Sequence, residues 1–376
     1  MSGLISSSDS DEVSQSDFLE LFVIPGKPKW TRDVALYDAL PKYLFSSTRN
    51  KKMAKIDADS YREIPVEIGK TSWRLSLTPA HVPAGDKSFF AFPGEREELV
   101  ARALRYLAVQ KSVHSKLESL NGQRQLMVFF TLYQIREALA HWNHTYDSVE
   151  IDEALRILRA TGMTLTMQDS RKAFYSGSLL AGYSGVDLAE DDRSRQRWVI
   201  LNSLEVDSIV RGDFRALNFQ RMMSLKSPLA RSIFDLVMRQ HRNAQKPSND
   251  SQAKPPPGFD LRLGDVLTYC GIVAEKTLRN TIRRVRSALD ELATNGMLWP
   301  AKPYEEFPVY EHRTSGAGRR KVIDVLWVLY LSKEEVSDMI ASHTEASYGG
   351  KEGENLPFIR EDKKAEMRKA ARDKQL

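Results

Sequence analysis

The sequence predicts an α+β chain, mainly helical, in which a helix-turn-helix followed by a β-hairpin occurs twice. The stretch from Glu275 to Thr294 repeats apolar residues at helical spacing and places basic residues on the other side. Residues 322–331 read VIDVLWVLYL, a β-branched and aromatic run typical of a buried strand. A similar succession of helices and strands precedes a Pro-rich segment at 244–258. Together these observations indicate tandem winged-helix domains.

The basic helix of residues 275–294 has two separate faces. Its apolar stripe advances by steps of four, three, four and three residues, through Leu278, Ile282, Val285, Leu289 and Leu292. At about 100° per residue, the cations lie within an arc of roughly 80° on the opposite side: Lys276, Arg279, Arg283 and Arg286. A solvated basic face and a helix that reads the major groove of DNA both fit this pattern.

The sequence on either side of this helix favours DNA binding. Leu261 to Gly271 predicts a shorter helix that ends at a glycine, and a turn-length connector follows. Gly296 is expected to stop the basic helix, and a hairpin rich in basic residues comes next. The predicted hairpin tip, where a wing meets phosphates or the minor groove, carries Arg319, Arg320 and Lys321. Helix, turn, helix and basic-tipped hairpin in this order predict a winged helix that binds double-stranded DNA.

The N-terminal half of the chain predicts a second arrangement of the same kind. A strand at residues 73–77, a helix introduced by residues 92–98 with acidic residues in its first turn, and a strand at 123–131 come first. Residues 132–141 predict one helix, and a capping box of Asp147 and Glu150 opens the next. Strands at 163–167 and 197–204 would then form the wing. Helices are expected at 219–223 and 228–242, the latter with Ser227 as N-cap.

Charge separates the two predicted winged helices. Four acidic residues crowd the end of the first unit's second helix that would face DNA, namely Asp147, Glu150, Asp152 and Glu153. Carboxylates repel phosphates, so this helix is expected to be a poor reader of base sequence.

Five segments follow from these patterns. They are an acidic, largely disordered N-terminal arm at 1–44, a first winged-helix domain at 45–243, a Pro-rich linker at 244–258, a second winged-helix domain at 259–345 and a charged tail at 346–376. We expect the first domain to dimerise and the second to read DNA.

Composition limits the remaining classes of function. The net charge of +5 favours polyanionic partners, and the single cysteine, Cys270, excludes an internal disulfide. No apolar run approaches the ~20 residues of a membrane span, which predicts a cytoplasmic protein with no membrane partner. His141 and His144 are spaced like metal ligands, but no second Cys/His pair accompanies them, and their place at a helix end favours capping or packing. No catalytic set is recognisable, so we expect neither an enzyme nor a cofactor nor a metal.

Several stretches resemble plasmid replication initiator proteins of the Rep type, which have two winged helices and bind repeated origin sequences called iterons. The matching phrases are FPGEREELVARALRYLA at 92–108, LYQIREALAHWNHTYDSVEIDEALRILRATGM at 132–163 and NFQRMMSLKSPLARSIFDLVMRQHRNA at 218–244. The resemblance covers roughly residues 40 to 335, and its strongest phrases lie in the first winged helix.

The resemblance implies a division of labour between the two domains. The second winged helix would read direct repeats in double-stranded DNA, and the first would contact backbone and mediate a monomer–dimer equilibrium. Base reading would fall on Lys276, Thr277, Arg279, Asn280 and Arg283. Phosphate contacts would fall on Arg284, Arg319, Arg320 and Lys321, with Arg221 and Lys226 contacting backbone from the first domain. The initiator ATPase and the replicative helicase of the host would be further partners, and the protein would associate with plasmid DNA in a bacterial cytoplasm.

The N-terminal arm contains a short apolar island, Phe18-Leu-Glu-Leu-Phe22. Its Leu19, Leu21 and Phe22 have the spacing of peptides that bind the bacterial sliding clamp, although Phe18 stands where those peptides carry Gln. An island that folds onto the domain is the alternative. A transcriptional regulator without a role in replication is likewise the alternative to an initiator, and an initiator would also repress its own promoter. A regulator usually adds a sensor domain, and none is apparent.

Overall fold

The fold is that of a computed structural model, which describes residues 23–24, 27–34, 37–45, 61–68, 71–84, 87–108, 115–120, 123–168, 173–184, 195–210, 214–240, 257–272, 277–310 and 322–340. Helices α1 to α9 are Glu95–Ala108, Leu132–His141, Ser148–Ala160, Ser203–Val210, Phe219–Met223, Pro228–Gln240, Leu263–Tyr269, Leu278–Thr294 and residues 333–340. Strands β1 to β16 are Val23–Ile24, Lys27–Val34, Arg62–Ile68, Thr71–Thr78, Ala80–Ala84, Lys87–Ala91, Ser115–Leu120, Gln123–Phe130, Gly162–Met167, Ala173–Ser178, Leu180–Tyr183, Arg197–Leu201, Phe214–Asn218, Phe259–Arg262, Tyr304–Tyr310 and Val322–Leu329. Helices and sheets both contribute throughout, which confirms the α+β class, and the strands are more numerous than the sequence pattern predicted.

Helices α2 and α3 form the helix pair of the N-terminal unit, which we define as residues 23–240. The predicted capping box of α3 is present, since the amide of Glu150 donates to Oδ1 of Asp147 at 2.8 Å and the amide of Asp147 donates to Oε2 of Glu150 at 3.0 Å. A second capping box, of Thr131 and Gln134, opens α2. Asn143, at φ 61°, reverses the chain between the two helices. Local capping chemistry therefore sets both helix starts, of which the sequence predicted the one at Asp147.

The strands that follow α3 do not form the single wing that the sequence predicted. Strand β9 lies in a sheet of order β10-β9-β4-β3, whereas β12 lies in a separate sheet of order β11-β12-β8-β7. The prediction of one hairpin from residues 163–167 and 197–204 is therefore wrong. Its physical reason is that the intervening chain supplies β10 and β11, and each closes its own hairpin. The period of two along a strand fixes its faces but not its partner.

The C-terminal unit, residues 257–340, has the element order β14-α7-α8-β15-β16-α9. Its three strands form an antiparallel sheet of order β14-β16-β15. Residues 261 and 262, which the sequence placed in the first helix, belong instead to β14, because Leu261 is fully buried opposite Trp327. Gly271 at φ 61° and Gly296 at φ 70° follow α7 and α8 in the left-handed conformation that the sequence analysis anticipated.

One continuous cluster of buried apolar side chains runs through both units. It includes Leu104 and Leu155 of the N-terminal unit together with Leu289 and Trp327 of the C-terminal unit, all of them fully buried. The two units are therefore packed against each other over an apolar core. Among the described residues, no helix has the length and hydropathy to cross a bilayer.

Candidate nucleic-acid interface

Helix α8, Leu278–Thr294, buries the apolar stripe that its sequence predicted. Val285 and Leu289 are 0% exposed and Leu292 is 1% exposed, whereas Leu278 and Ile282 are half-buried. Burial of such side chains contributes about 1.5–3 kcal/mol each, so the helix is firmly held by this face. The opposite face is consequently available to solvent along the length of the helix.

Arg279 and Arg283 are the exposed cations of that face, in the N-terminal half of α8. Within the part of the chain that the structure describes, neither arginine has an ion-pair partner. Thr277 precedes the helix as an exposed N-cap residue with no side-chain capping bond, and Asn280 is half-buried beside it. Free guanidinium groups on a helix that is packed by its other side suit bidentate contacts with guanine in the major groove.

Arg286 belongs to the same basic face and is about half exposed, but its guanidinium is paired with a carboxylate of the C-terminal unit. It donates to both carboxylate oxygens of Glu306 on β15, with Nε–Oε2 at 2.6 Å and Nη2–Oε1 at 2.5 Å. Hydrogen bonding from Arg286 lowers the pKa of Glu306, which also accepts from Nε1 of Trp327 at 3.0 Å. This pair fixes the strand that leads to the hairpin tip against α8.

Arg284, which was predicted to contact a phosphate, forms a hydrogen bond within the protein instead. Its side chain is half-buried, and Nη2 donates to the backbone carbonyl of Phe45 at 3.0 Å. The contact joins α8 to the N-terminal unit, so a phosphate contact by Arg284 would require this bond to be released. The sequence could not have revealed this partner, because it lies 239 positions away.

Arg221, a predicted backbone contact, bridges the two units. Its Nη1 lies 2.7 Å from Oε2 of Glu334, its Nε lies 2.7 Å from Oε1 of Glu335, and Nη2 donates to the carbonyl of Gly296 at 3.1 Å. Burial raises the pKa of Glu335 to about 7, against the lowering effect of Arg221. Lys226, by contrast, keeps an exposed side chain. Of the two residues, Lys226 is the one whose charge remains accessible.

Several predicted site residues lie outside the described residues. They are Lys276 before α8, the hairpin-tip residues Arg319, Arg320 and Lys321, and the arm residues Leu19, Leu21 and Phe22.

The acidic helix α3 is less negative toward solvent than its sequence suggested. Asp152 is only 3% exposed and is bonded to Arg197, Tyr183 and Arg156. Glu153 accepts from Arg96 at 2.9 Å. Asp147 and Glu150 serve as the capping box of the helix. Arginines thus neutralise two of the four carboxylates that were predicted to repel phosphates, Asp152 and Glu153.

Sequence reasoning missed a segment of the N-terminal unit that contacts the C-terminal unit. Residues 37–45, grouped by the prediction mostly with the N-terminal arm, contact Gly271 and Arg284 through Phe45, and Tyr37, Leu40 and Phe45 are at most 4% exposed. Asp38 accepts two hydrogen bonds from Arg105 of α1, at 2.7 and 3.1 Å. Burial lowers the pKa of Lys42 to about 8, because its ammonium lies in the same interior. The sequence signal that could have indicated a packed segment is the mixture of aromatic and apolar residues that follows the acidic part of the N-terminal arm.

No known protein family matches the sequence, and no curated protein shows significant similarity to it. Two crystal structures of domains 2 and 3 of RctB align with most of this chain at low similarity. The selenomethionine derivative of these domains gives a TM-score of 0.44 at 11% identity, covering 81% of this chain and 98% of that one. The second gives a TM-score of 0.41 at 10% identity, covering 80% and 98%.

Proposed function

We propose that this protein is a replication initiator that binds repeated origin sequences through helix α8. The observation that carries the proposal is the pair of exposed arginines, Arg279 and Arg283, on a helix whose opposite face is buried in the core. Rigid attachment matters because sequence is read by side chains held at fixed positions against base edges. The net charge of +5 adds a non-specific attraction to the phosphate backbone.

Each part of the C-terminal unit has a separate role in this proposal. Arg279 and Arg283 read bases, with Lys276, Thr277 and Asn280 beside them. The hairpin-tip residues Arg319, Arg320 and Lys321 contact phosphates, and Lys226 adds a backbone contact from the N-terminal unit. The proposal assigns no catalytic residue, so opening of the origin would depend on binding energy and on host proteins.

Self-association through the N-terminal unit and recruitment of host replication proteins form part of the same proposal. They rest on the resemblance of residues 92–108, 132–163 and 218–244 to Rep-type initiators. Binding of the sliding clamp by Leu19, Leu21 and Phe22 and repression of the protein's own promoter are included on the same basis.

Titration of DNA with single-residue variants tests the base-reading role. The probes are duplexes that tile the DNA flanking the gene, together with a scrambled duplex of equal length. A bidentate arginine–guanine contact is worth about 1–3 kcal/mol, so Arg279→Ala and Arg283→Ala should each reduce the preference for the best duplex by about tenfold. The measurement is fluorescence anisotropy at several salt concentrations.

Arg159→Ala is the matched control, because Arg159 is an exposed arginine near the C-terminal end of α3 and its loss changes the net charge equally. It should leave the preference for the best duplex unchanged. Wild-type specificity in both α8 variants would remove this helix from the interface. Maintenance of a plasmid that carries the flanking DNA, with the protein supplied in trans, separates an initiator from a regulator: a regulator would bind the repeats without supporting replication.

A further inference from the structure

In the C-terminal half of α8, the carboxylate of Glu291 contacts the N-terminal unit. Glu291 accepts hydrogen bonds from the backbone amides of Lys226 and Ser227, the latter at 3.2 Å from each of its oxygens. These amides lie at the start of α6, Pro228–Gln240, where Ser227 Oγ also accepts from the amide of Ala230 at 3.3 Å. A helix start presents unpaired amides and a positive dipole end, so a carboxylate is strongly preferred there. Glu291 thus caps a helix of the other unit.

A second contact attaches the middle of α8. Arg284 donates to the carbonyl of Phe45, the last residue of the segment 37–45 that lies between the units. The amide of Phe45 donates to the carbonyl of Gly271 at 2.8 Å, and the amide of Leu44 donates to the carbonyl of Pro93 at 2.8 Å. The segment therefore touches the turn before α8 on one side and the start of α1 on the other.

Both contacts lie on one flank of α8, away from the exposed arginines. Arg284 and Glu291 are seven residues apart and so fall within about 20° of each other around the helix axis. By the same spacing, Arg279 and Arg283 lie roughly 80–140° from this flank. Apart from its charge, a change at Glu291 consequently acts on the proposed DNA-binding face through the orientation of the helix.

We propose that Glu291, assisted by Arg284, is a positioning residue that fixes the angle at which α8 presents Arg279 and Arg283 to DNA. The proposal rests on the DNA-binding function given above. The N-terminal unit then influences which base sequence is recognised, because the start of α6 orients α8. That unit does so without contacting the bases itself.

Charge and position predict opposite effects at this residue. Removal of a carboxylate from a DNA-binding helix weakens the repulsion of phosphates, so charge alone predicts tighter binding. Loss of the cap frees the helix to reorient, so the positioning role predicts weaker binding. Asp290 is the matched control, because it is the adjacent acidic residue and accepts its hydrogen bond at 2.7 Å from Tyr304 inside the C-terminal unit.

The experiment uses the full chain and the duplex of about 30 base pairs that the wild-type protein enriches from a random-sequence pool. Glu291→Ala should weaken binding to this duplex by about tenfold, whereas Asp290→Ala should bind equally or more tightly. Glu291→Gln keeps an oxygen acceptor and should restore most of the affinity. Hydrogen exchange at the amides of Lys226 and Ser227 should accelerate in Glu291→Ala and not in Asp290→Ala.

Glu291→Asp serves where Glu291→Ala is too unstable to assay, since it keeps the charge but is one methylene too short to reach both amides. Weaker binding by this variant supports the proposal. Binding by Glu291→Ala or Glu291→Asp as tight as that of Asp290→Ala overturns it. Failure of the wild-type protein to enrich any sequence refutes the DNA-reading function itself, and the exchange rates at Lys226 and Ser227 then report on the contact alone.

Discussion

Substitution of Gly271 by alanine tests whether the segment 37–45 is packed against the end of α7 as described. Gly271 has a φ of +61°, and a Cβ at this position would lie 1.9 Å from the backbone oxygen of Tyr43. Real Cβ atoms stay beyond 3.0 Å from such an atom, so the two chain segments must separate by about 1 Å. Backbone atoms cannot rotate out of the way as a flexible side chain does.

The size of the effect follows from two separate penalties. The left-handed conformation costs an alanine about 1–2 kcal/mol. Separation of the segments also weakens the hydrogen bond from the amide of Phe45 to the carbonyl of Gly271, which contributes about 0.5–1.5 kcal/mol, and exposes part of the Phe45 side chain, which is 4% exposed. Gly271→Ala should therefore destabilise the protein by about 3 kcal/mol or more.

Two other glycines provide matched controls. Gly296 has a φ of +70°, and no atom lies within 4 Å of the position that a Cβ would take, so Gly296→Ala carries only the conformational penalty of about 1–2 kcal/mol. Gly264 lies in α7 with nothing within 4 Å and an ordinary φ, so Gly264→Ala should be neutral or stabilise by about 0.5–1 kcal/mol. The measurement is urea unfolding followed by both far-UV circular dichroism and tryptophan fluorescence, whose transitions must coincide. A Gly271 variant as stable as the Gly296 variant would refute the packing of the segment on this turn.

Two further predictions concern buried charges. Burial raises the pKa of Glu335 from 4.5 in a free side chain to about 7, so the folded protein binds this proton more tightly and loses stability as the pH rises between these values. Glu335→Gln, which cannot ionise, should therefore match the wild type near pH 4.5 and melt at a higher temperature at pH 8; a difference in melting temperature that does not change with pH would contradict this. Arg197 is 1% exposed and pairs with the buried Asp152. Arg197→Met should therefore lower the free energy of unfolding, measured in urea, by about 3–5 kcal/mol, because the buried carboxylate loses this ion pair. The double variant Arg197→Met/Asp152→Leu should regain much of this loss, and an equally unstable double variant would show that the pair is not the cause.

Local chemistry along the chain was enough to predict most of the helices, but not α4 and α9. The apolar stripe of α8, the capping box of Asp147 and Glu150, and the stops at Gly271 and Gly296 are all present in the structure. Each depends on residues within a few positions of one another, through the 3.6-residue period or through the steric limits on φ. The exposure of Arg279 and Arg283 followed from the same period.

The tertiary structure decided which charges are available and which strands pair. Arg284 finds its partner 239 positions away, Arg221 reaches Glu334 across 113 positions, and Glu291 reaches Lys226 across 65. Neither helical period nor composition carries information about such distant partners. The hairpins of the N-terminal unit follow the same rule, because a strand's alternation fixes its faces and leaves its neighbours open. A basic residue on a helix is thus recognisable from sequence, but whether it meets DNA or the rest of its own chain depends on the packing of segments that are remote in sequence.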